Sequence, residues 1–237
     1  MSSMRILFCN IAYMKYYKGK IKGVDVPQGG GEYVDRTGNA HEKYNFLPEM
    51  LTFREDYLPE GEYCLGFVET KTTKGDKVNQ IHIENIDGCG ALKNEPEVDD
   101  VLVIFCAKYP DSEVYESVVV GWYKHAKVLR DYDAVDFMYE DGSEYRQYFN
   151  ILARKEDCVL LPPSGVRRKT IWKAQRKKKG VSYGFGQSNI WFATGADGNP
   201  YLKNYLDNLI SNIENYDGEN WLERYPEGFD YIRKDEE

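Results

Sequence analysis

The sequence predicts an α+β protein, with a curved β-sheet or small β-barrel as its larger part and a helix near the C-terminus. Three observations carry this prediction: short apolar runs rich in β-branched and aromatic residues, turn-forming clusters between them, and one stretch of helical periodicity. Short strands at regular spacing are typical of a sheet that curves or closes. Because 237 residues suit one large domain with an extension, we assign residues 1–195 to a domain and 196–237 to a helix and an acidic tail, packed on or extending from that domain.

Most of the predicted elements are strands in the first two thirds of the chain. The strand segments are Met4–Ala12, Gly29–Val34, Tyr63–Thr70, Gln80–Ile86, Val101–Ala107, Ser117–Leu129, Tyr148–Ala153 and Cys158–Leu161. A helix is predicted over Asn199–Asn215, because its apolar residues recur at helical spacing and Asn199-Pro200 is a typical start signal.

Composition restricts the class of protein. Hydrophobic residues make up 42% of the chain and charged residues 30%, which predicts a packed core rather than disorder. No apolar run reaches the roughly 18–20 residues of a membrane span, and the N-terminus lacks signal-peptide features, so no membrane partner is expected. The five cysteines are scattered without a CxxC pair, which is typical of reduced thiols in a cytoplasmic protein. We predict no metal and no cofactor.

A run of cations stands out against an acidic background. The net charge is −8, yet residues 167–179, termed the basic segment, hold eight cations and no acid, so the remainder carries −16 (−8 minus +8). So sharp a separation is typical of a surface that binds phosphates, and a solvated charged loop is the alternative. The predicted phosphate contacts are Arg167, Arg168, Lys169, Lys173, Arg176, Lys177, Lys178 and Lys179.

The segment that follows, SYGFGQSNIWFA (182–193), combines glycines, rings and polar side chains. A base pocket needs a stacking plane and hydrogen-bonding groups that match one edge of the base. The predicted stacking rings are Trp122, Trp191 and Phe185, with Tyr44 behind them. The residues predicted to contact the base edge are Asn10, Asn45, Gln187, Ser188 and Asn189. A glycine-rich turn entering a core strand is the alternative for 182–193.

Enzymatic signatures are weak. We find no GxSxG, HExxH or P-loop motif. Glu69-x-Lys71 at a strand end is like part of the PD-(D/E)xK nuclease set, although such triplets are common by chance. We therefore expect a binding domain without its own catalytic module. The alternatives are a metal-dependent nuclease that uses Glu69 and Lys71, and a protein-interaction module that uses the tyrosines and the acidic tail.

Several segments resemble a known group of bacterial proteins. In chain order, MRILFCNIAYMKYYKG, GGGEYV, HEKYNF, VVVGWYKHAKVLR and GFGQSNIWFA resemble a region that is often joined to an HNH nuclease or a similar effector. The strand layout also resembles the PUA superfamily, which includes the EVE, YTH and ASCH domains. Those domains are small curved barrels with flanking helices, and several hold a flipped, modified base in an aromatic cage.

The resemblance spans about Met4–Ala193 and implies a PUA/EVE-like barrel that recognises a flipped, modified base. It implies a specificity component of a modification-dependent restriction or defence system, with DNA favoured over RNA as the ligand. The residues after Ala193 predict one helix and an acidic tail rather than an HNH module. A separate nuclease or effector subunit is therefore an expected partner.

Overall fold

The structure is a computed structural model that describes residues 4–29, 40–52, 58–70, 80–110, 116–138, 142, 144–163 and 165–230. These residues form nine strands in one mixed sheet. The strands are β1 (Ile6–Ile11), β2 (Pro48–Leu51), β3 (Gly61–Gly66), β4 (Glu97–Lys108), β5 (Ser117–Met138), β6 (Glu144–Arg154), β7 (Cys158–Leu160), β8 (Lys173–Ala174) and β9 (Ile190–Trp191). The α-helix of the described part is α1 (Pro200–Glu214). Short 3-10 helices cover His41–Tyr44, Ile83–Asn85, Gly90–Leu92, Lys155–Asp157, Thr170–Trp172, Ala196–Gly198 and Trp221–Glu223.

The long strand β5 organises the sheet. The main order is β2-β3-β6-β5-β4-β1-β9, and β7 and β8 also pair with β5. Strand β1 runs parallel to β4, and the other pairs are antiparallel. The first half of β5 pairs with β4, and its second half forms a hairpin with β6. This open order fits the α+β class, but closure into the predicted barrel is not seen among the described residues.

Side chains that alternate along the strands build a core on each face of the sheet. In β1, Leu7 and Cys9 point into the first core, whereas Phe8 points into the second. In β5, Tyr123 belongs to the first core and Trp122 to the second, as strand geometry requires. The apolar stripe of α1 covers the second core through Leu202, Leu206, Leu209 and Ile213. The five cysteines are buried and free.

Most of the predicted elements are confirmed. Strands form within or around six of the predicted segments, as β1, β3, β4, β5, β6 and β7, and α1 matches the predicted helix. The prediction for Gln80–Ile86 is wrong, since Ile83–Asn85 forms a 3-10 helix that still buries Ile83. Apart from Gly29, the predicted strand Gly29–Val34 lies outside the described residues. Strands β2, β8 and β9 were not predicted, because runs of two to four residues carry too little periodicity.

In the part of the chain that the structure describes, no helix combines the length and the apolar character needed to cross a lipid bilayer.

Candidate functional site

The basic segment pairs with the glycine-rich segment that follows it. Phe185 donates its N–H to the carbonyl of Gln175, and Lys177 donates its N–H to the carbonyl of Phe185, both at 2.9 Å. Gly184 adopts a φ of +109°, and a Cβ on it would lie 2.4 Å from the Gln175 carbonyl oxygen, so this close approach requires glycine. The pairing brings the cations of the basic segment to the end of the sheet where β9 lies beside β1.

A cavity of about 390 Å³, termed the loop cavity, lies between these paired segments and the start of α1. Its walls include Lys177, Tyr183, Gln187, Ser188, Trp191 and Asn199. Its volume falls within the range of about 300–1,000 Å³ that is typical of small-molecule sites. The cavity therefore brings a ring, polar side chains and a cation of the basic segment to one place.

Trp191 is the ring of the loop cavity that the sequence predicts. It is half-buried, and one face of its indole stacks on Phe8, with ring centroids 4.4 Å apart and an interplanar angle of 28°. Phe185 approaches the same indole at 5.9 Å and 63°. Tyr205 also packs against this indole, with ring centroids 6.2 Å apart and planes at 30°. A planar ligand in the cavity can therefore stack only on the indole surface that Phe8 and Tyr205 leave open.

Gln187 and Ser188 are the predicted edge contacts that line the loop cavity, and both are exposed. The Ser188 hydroxyl accepts the N–H of Ile190 at 3.0 Å, which shapes the turn into β9. The same two residues also line a neighbouring cavity of about 310 Å³, together with Thr70 and His82. Polar side chains at the mouth of a pocket are what selective binding of a small ring requires.

Asn10 and Asn189, two further predicted edge contacts, lie next to each other. Both are hydrogen-bonded to other residues of the protein. The Asn10 N–H donates to the Asn189 carbonyl at 2.7 Å, and the Asn10 side-chain oxygen accepts a hydrogen bond from Arg176 at 3.1 Å. The Asn189 side chain donates to the carbonyl of Glu69 at 3.2 Å. These bonds tie β1, the basic segment and the loop cavity together.

Trp122 lies in the second core and not beside Trp191 at the loop cavity. Its indole is 1% exposed, stacks on Trp172 at 5.4 Å and 25°, and meets Tyr216 edge to face at 5.4 Å. This placement corrects the prediction that Trp122 stacks on a base, because core rings pack against its indole. A base could stack on Trp122 only after Trp172 or Tyr216 moved away.

Three further predicted contacts are also buried. Phe185 packs edge to face against Phe8 at 6.3 Å, and Tyr44 packs in the same way against Tyr145 at 5.2 Å. Both the oxygen and the nitrogen of the Asn45 side-chain amide bond the backbone of Phe67, each at 2.9 Å. The expectation that these three residues contact a base is corrected accordingly: they are buried and support the fold.

The basic segment contains two arginines that are hydrogen-bonded within the fold and six cations that are exposed. Arg167 is fully buried and donates to the carbonyls of Leu161, Met14 and Lys15 at 2.9, 2.6 and 2.8 Å, which corrects its predicted role as a phosphate contact. Half-buried Arg176 donates to the Ser117 hydroxyl at 2.7 Å. The remaining six cations are exposed: Arg168, Lys169, Lys173, Lys177, Lys178 and Lys179.

Several of the exposed cations share one surface around Glu116. Lys173 donates a hydrogen bond to Glu116 at 2.8 Å. This bond and the charges of Lys173, Arg168 and Lys178 hold the pKa of the Glu116 carboxyl below its usual value. One carboxylate thus feels cations from both ends of the basic segment, so these cations lie close to one another on the surface.

The nuclease alternative rests on Glu69 and Lys71. The backbone of Glu69 is fixed by Asn189, and Lys71 lies outside the described residues. Among the residues with described positions, no three of the His, Cys, Asp and Glu side chains come together as potential metal ligands.

Sequence reasoning missed several residues that line the loop cavity, among them Tyr183 and Asn199. Tyr183 lies inside the 182–193 segment that we singled out, so its ring could have been included from the motif alone. Asn199 was recognised only as a helix start signal, and its side chain does accept the N–H of Leu202 at 3.1 Å. Its position at the cavity follows from how α1 docks, which local sequence does not encode.

Comparisons of the chain with protein-family models, curated proteins and solved structures gave no match. The residues and geometry of the loop cavity are therefore the basis on which a function is proposed.

Proposed function

We propose that this protein binds nucleic acid and holds one extruded, modified base in the loop cavity. The observation that carries this proposal is the convergence of Trp191, Gln187 and Lys177 on one cavity of about 390 Å³. The indole is a stacking plane, the amide is a donor and an acceptor, and the ammonium group is a phosphate contact.

Phosphates are bound first by the exposed cations. Lys177, Lys178 and Lys179 lie in an exposed turn in which Lys178 and Val181 bond each other through the backbone. Contacts of lysine with phosphate are independent of sequence and weaken with salt, because binding releases counterions. This step places the strand at the cavity without choosing a base.

Selectivity comes from the cavity itself. Extruding a base costs a few kcal/mol, and stacking on an aromatic ring returns about 1–3 kcal/mol. The amide of Gln187 carries both a donor and an acceptor, the kinds of group that an adenine edge pairs with. A methyl group on the base would add only about 0.8 kcal/mol through burial, so rejection of the unmodified base also requires a lost hydrogen bond or a clash.

The proposed partner is a separate nuclease or effector subunit. The resemblance to regions joined to HNH nucleases supports this role, and so does the resemblance to PUA-type domains that hold modified bases. In this proposal the protein selects the site and the effector acts on it.

The test is binding of duplexes that differ only in one methylated base. For N6-methyladenine or 5-methylcytosine, wild-type protein should bind the modified duplex more tightly than the unmodified one. Trp191→Ala should lose about 5–150-fold in affinity for the modified duplex, which corresponds to the stacking energy of about 1–3 kcal/mol. Anisotropy titrations measure the selectivity of wild type and the affinity loss of the variant. A melting curve verifies that the variant is folded.

Tyr201→Ala is the matched control, because Tyr201 is an exposed ring on α1 that does not line the loop cavity. It should bind like wild type. Equal affinity of wild type for modified and unmodified duplexes would exclude selective recognition of these modifications. Cleavage of plasmid in the presence of Mg²⁺ would instead favour the nuclease alternative.

A further inference from the structure

A second cavity, of about 580 Å³ and termed the N-terminal cleft, lies at the other end of the basic segment. Its walls include Tyr13, Tyr16, Tyr109, Pro110, Pro163 and Trp221. The basic segment reaches this cleft through Arg167, which bonds the carbonyls of the wall residues Met14 and Lys15. Lys177, near the opposite end of the segment, lines the loop cavity. The two cavities are therefore joined by one run of cations.

The rings of the cleft are held in fixed positions. Tyr16 stacks on Trp221 with ring centroids 5.2 Å apart at 26°, and Tyr109 meets Tyr13 edge to face at 5.4 Å. Tyr16, Tyr109 and Trp221 are half-buried, so each keeps some surface open. The guanidinium of Arg167 lies 5.3 Å from the centre of the Tyr13 ring. A ligand would meet aromatic surfaces that are already ordered, which reduces the entropy lost on binding.

The turn that closes one side of the cleft is fixed by Asp25. Its buried carboxylate accepts the N–H groups of Lys15 and Tyr16 at 2.7 and 2.8 Å. The oxygens of this acid are therefore occupied by the backbone of the wall. These bonds hold the shape of the cleft. Because the Asp25 carboxylate is buried and bonded to the backbone, it repels a phosphate less than an exposed acid would.

The rim of the cleft is cationic. Lys15 lines it and is exposed, and the exposed guanidinium of Arg168 lies 5.1 Å from the centre of the Tyr109 ring. Lys22 is exposed on the turn next to the lining residue Gly23. Proline-rich peptides also dock in grooves lined by aromatic residues and prolines, but positive charge around stacking rings favours a polyanion that carries rings of its own.

We propose that the N-terminal cleft is a second nucleotide site, which stacks unpaired bases next to the base held in the loop cavity. The strand would run along the exposed cations of the basic segment, from Arg168 at the cleft to Lys177 at the loop cavity. This inference rests on the proposed function. It adds that the ligand is single-stranded over more than one nucleotide when bound.

The test uses oligothymidylates of increasing length, measured by anisotropy with the full chain. Wild-type affinity should rise with length until the oligonucleotide spans both cavities, and then level off. Tyr109→Ala should weaken binding of the long oligonucleotides about tenfold and leave the shortest unchanged. The double variant Lys15→Glu/Arg168→Glu changes two exposed side chains, of which Arg168 contacts the Tyr109 ring, and should have the same effect while the buried side chains stay unchanged.

Tyr132→Ala is the control, since Tyr132 is a half-exposed ring on the β5–β6 hairpin that does not line the cleft. Trp191→Ala should retain the length dependence while it loses discrimination of the modified base. If wild type selects the modified base but both cleft variants keep the wild-type length dependence, the second site is refuted and the proposed function stands. Binding of a proline-rich peptide in the cleft, without any oligonucleotide binding, would overturn both.

Discussion

The buried and the exposed cations of the basic segment differ in whether they bond the backbone of the fold. Arg167 is fully buried and bonds three carbonyls from two parts of the chain, whereas Lys177, Lys178 and Lys179 are exposed. Arginine presents five donors in a planar fork, so one side chain can satisfy several carbonyls at once. One run of positive charge therefore contains both cations that build the framework and cations that remain exposed at the surface.

Arg167→Met should have the largest effect on stability, because it leaves two buried carbonyls and one partly buried carbonyl without their charged donor. We expect the free energy of unfolding to fall by about 3–5 kcal/mol, given about 1–3 kcal/mol for each lost bond and partial relaxation. Chemical denaturation measures it. Lys169→Met, in the same segment but exposed, should change stability by less than about 0.5 kcal/mol. Equal losses of stability in the two variants would contradict the separation of the basic segment into framework and exposed cations.

A second buried cation, Lys18, makes stability depend on pH. The Lys18 ammonium is 2% exposed and donates to the carbonyls of Phe46 and Leu222. Burial lowers the pKa of Lys18 from 10.5 to about 7. Between these values the unfolded chain binds more protons than the folded one, so stability should rise with pH above 7.

The measurable window lies between about pH 7 and 8.5. Burial raises the pKa of the Glu42 carboxyl to about 7, so its effect on stability ends there. Burial also raises the pKa of the Cys9 thiol, which makes stability fall once unfolded thiols ionise near pH 8.5. Between these pH values we expect the free energy of unfolding to rise by about 1–2 kcal/mol. Lys18→Met should remove this rise, and Lys22→Met should leave it unchanged. Parallel pH curves for wild type and Lys18→Met would refute this role.

Reversing Lys177, Lys178 and Lys179 to Glu should have the smallest effect on stability, within about 0.5 kcal/mol. The same change should weaken binding to all nucleic-acid sequences alike and reduce the slope of log affinity against log salt by about 2–3. Arg176 is left intact, because its bonds to Ser117 and Asn10 belong to the framework. An unchanged salt slope would contradict the phosphate role of these lysines.

Much of the sheet could be predicted from local pattern. The apolar run of β4 is buried on both faces, and the stripe of α1 follows helical periodicity, so both elements were predicted. Closure of the sheet could not be predicted, because it depends on whether the edge strands β2 and β9 meet. Pairing of two short strands that are far apart in sequence leaves no local signal.

The two cavities differ in how far the sequence reveals them. Most walls of the loop cavity come from the contiguous stretch 182–195, so a local motif was enough to locate Gln187, Ser188 and Trp191. The N-terminal cleft combines Tyr13, Tyr109 and Trp221 from distant segments, which only the fold brings together. Trp122 was misplaced for the same reason: its covering ring, Trp172, lies in another segment.

Strand β1 has a consequence for how the chain is made. It is buried between β4 and β9, both of which leave the ribosome much later. At about 5–20 residues per second, β4 follows β1 by roughly 5–20 s of synthesis and β9 follows by roughly 10–35 s. Until β4 emerges the apolar run Ile6–Ile11 has neither neighbour, and until β9 emerges one edge stays unpaired; unpaired strand edges of this kind favour aggregation. Yield in cells should therefore depend on translation speed and on chaperones that shield the nascent N-terminus.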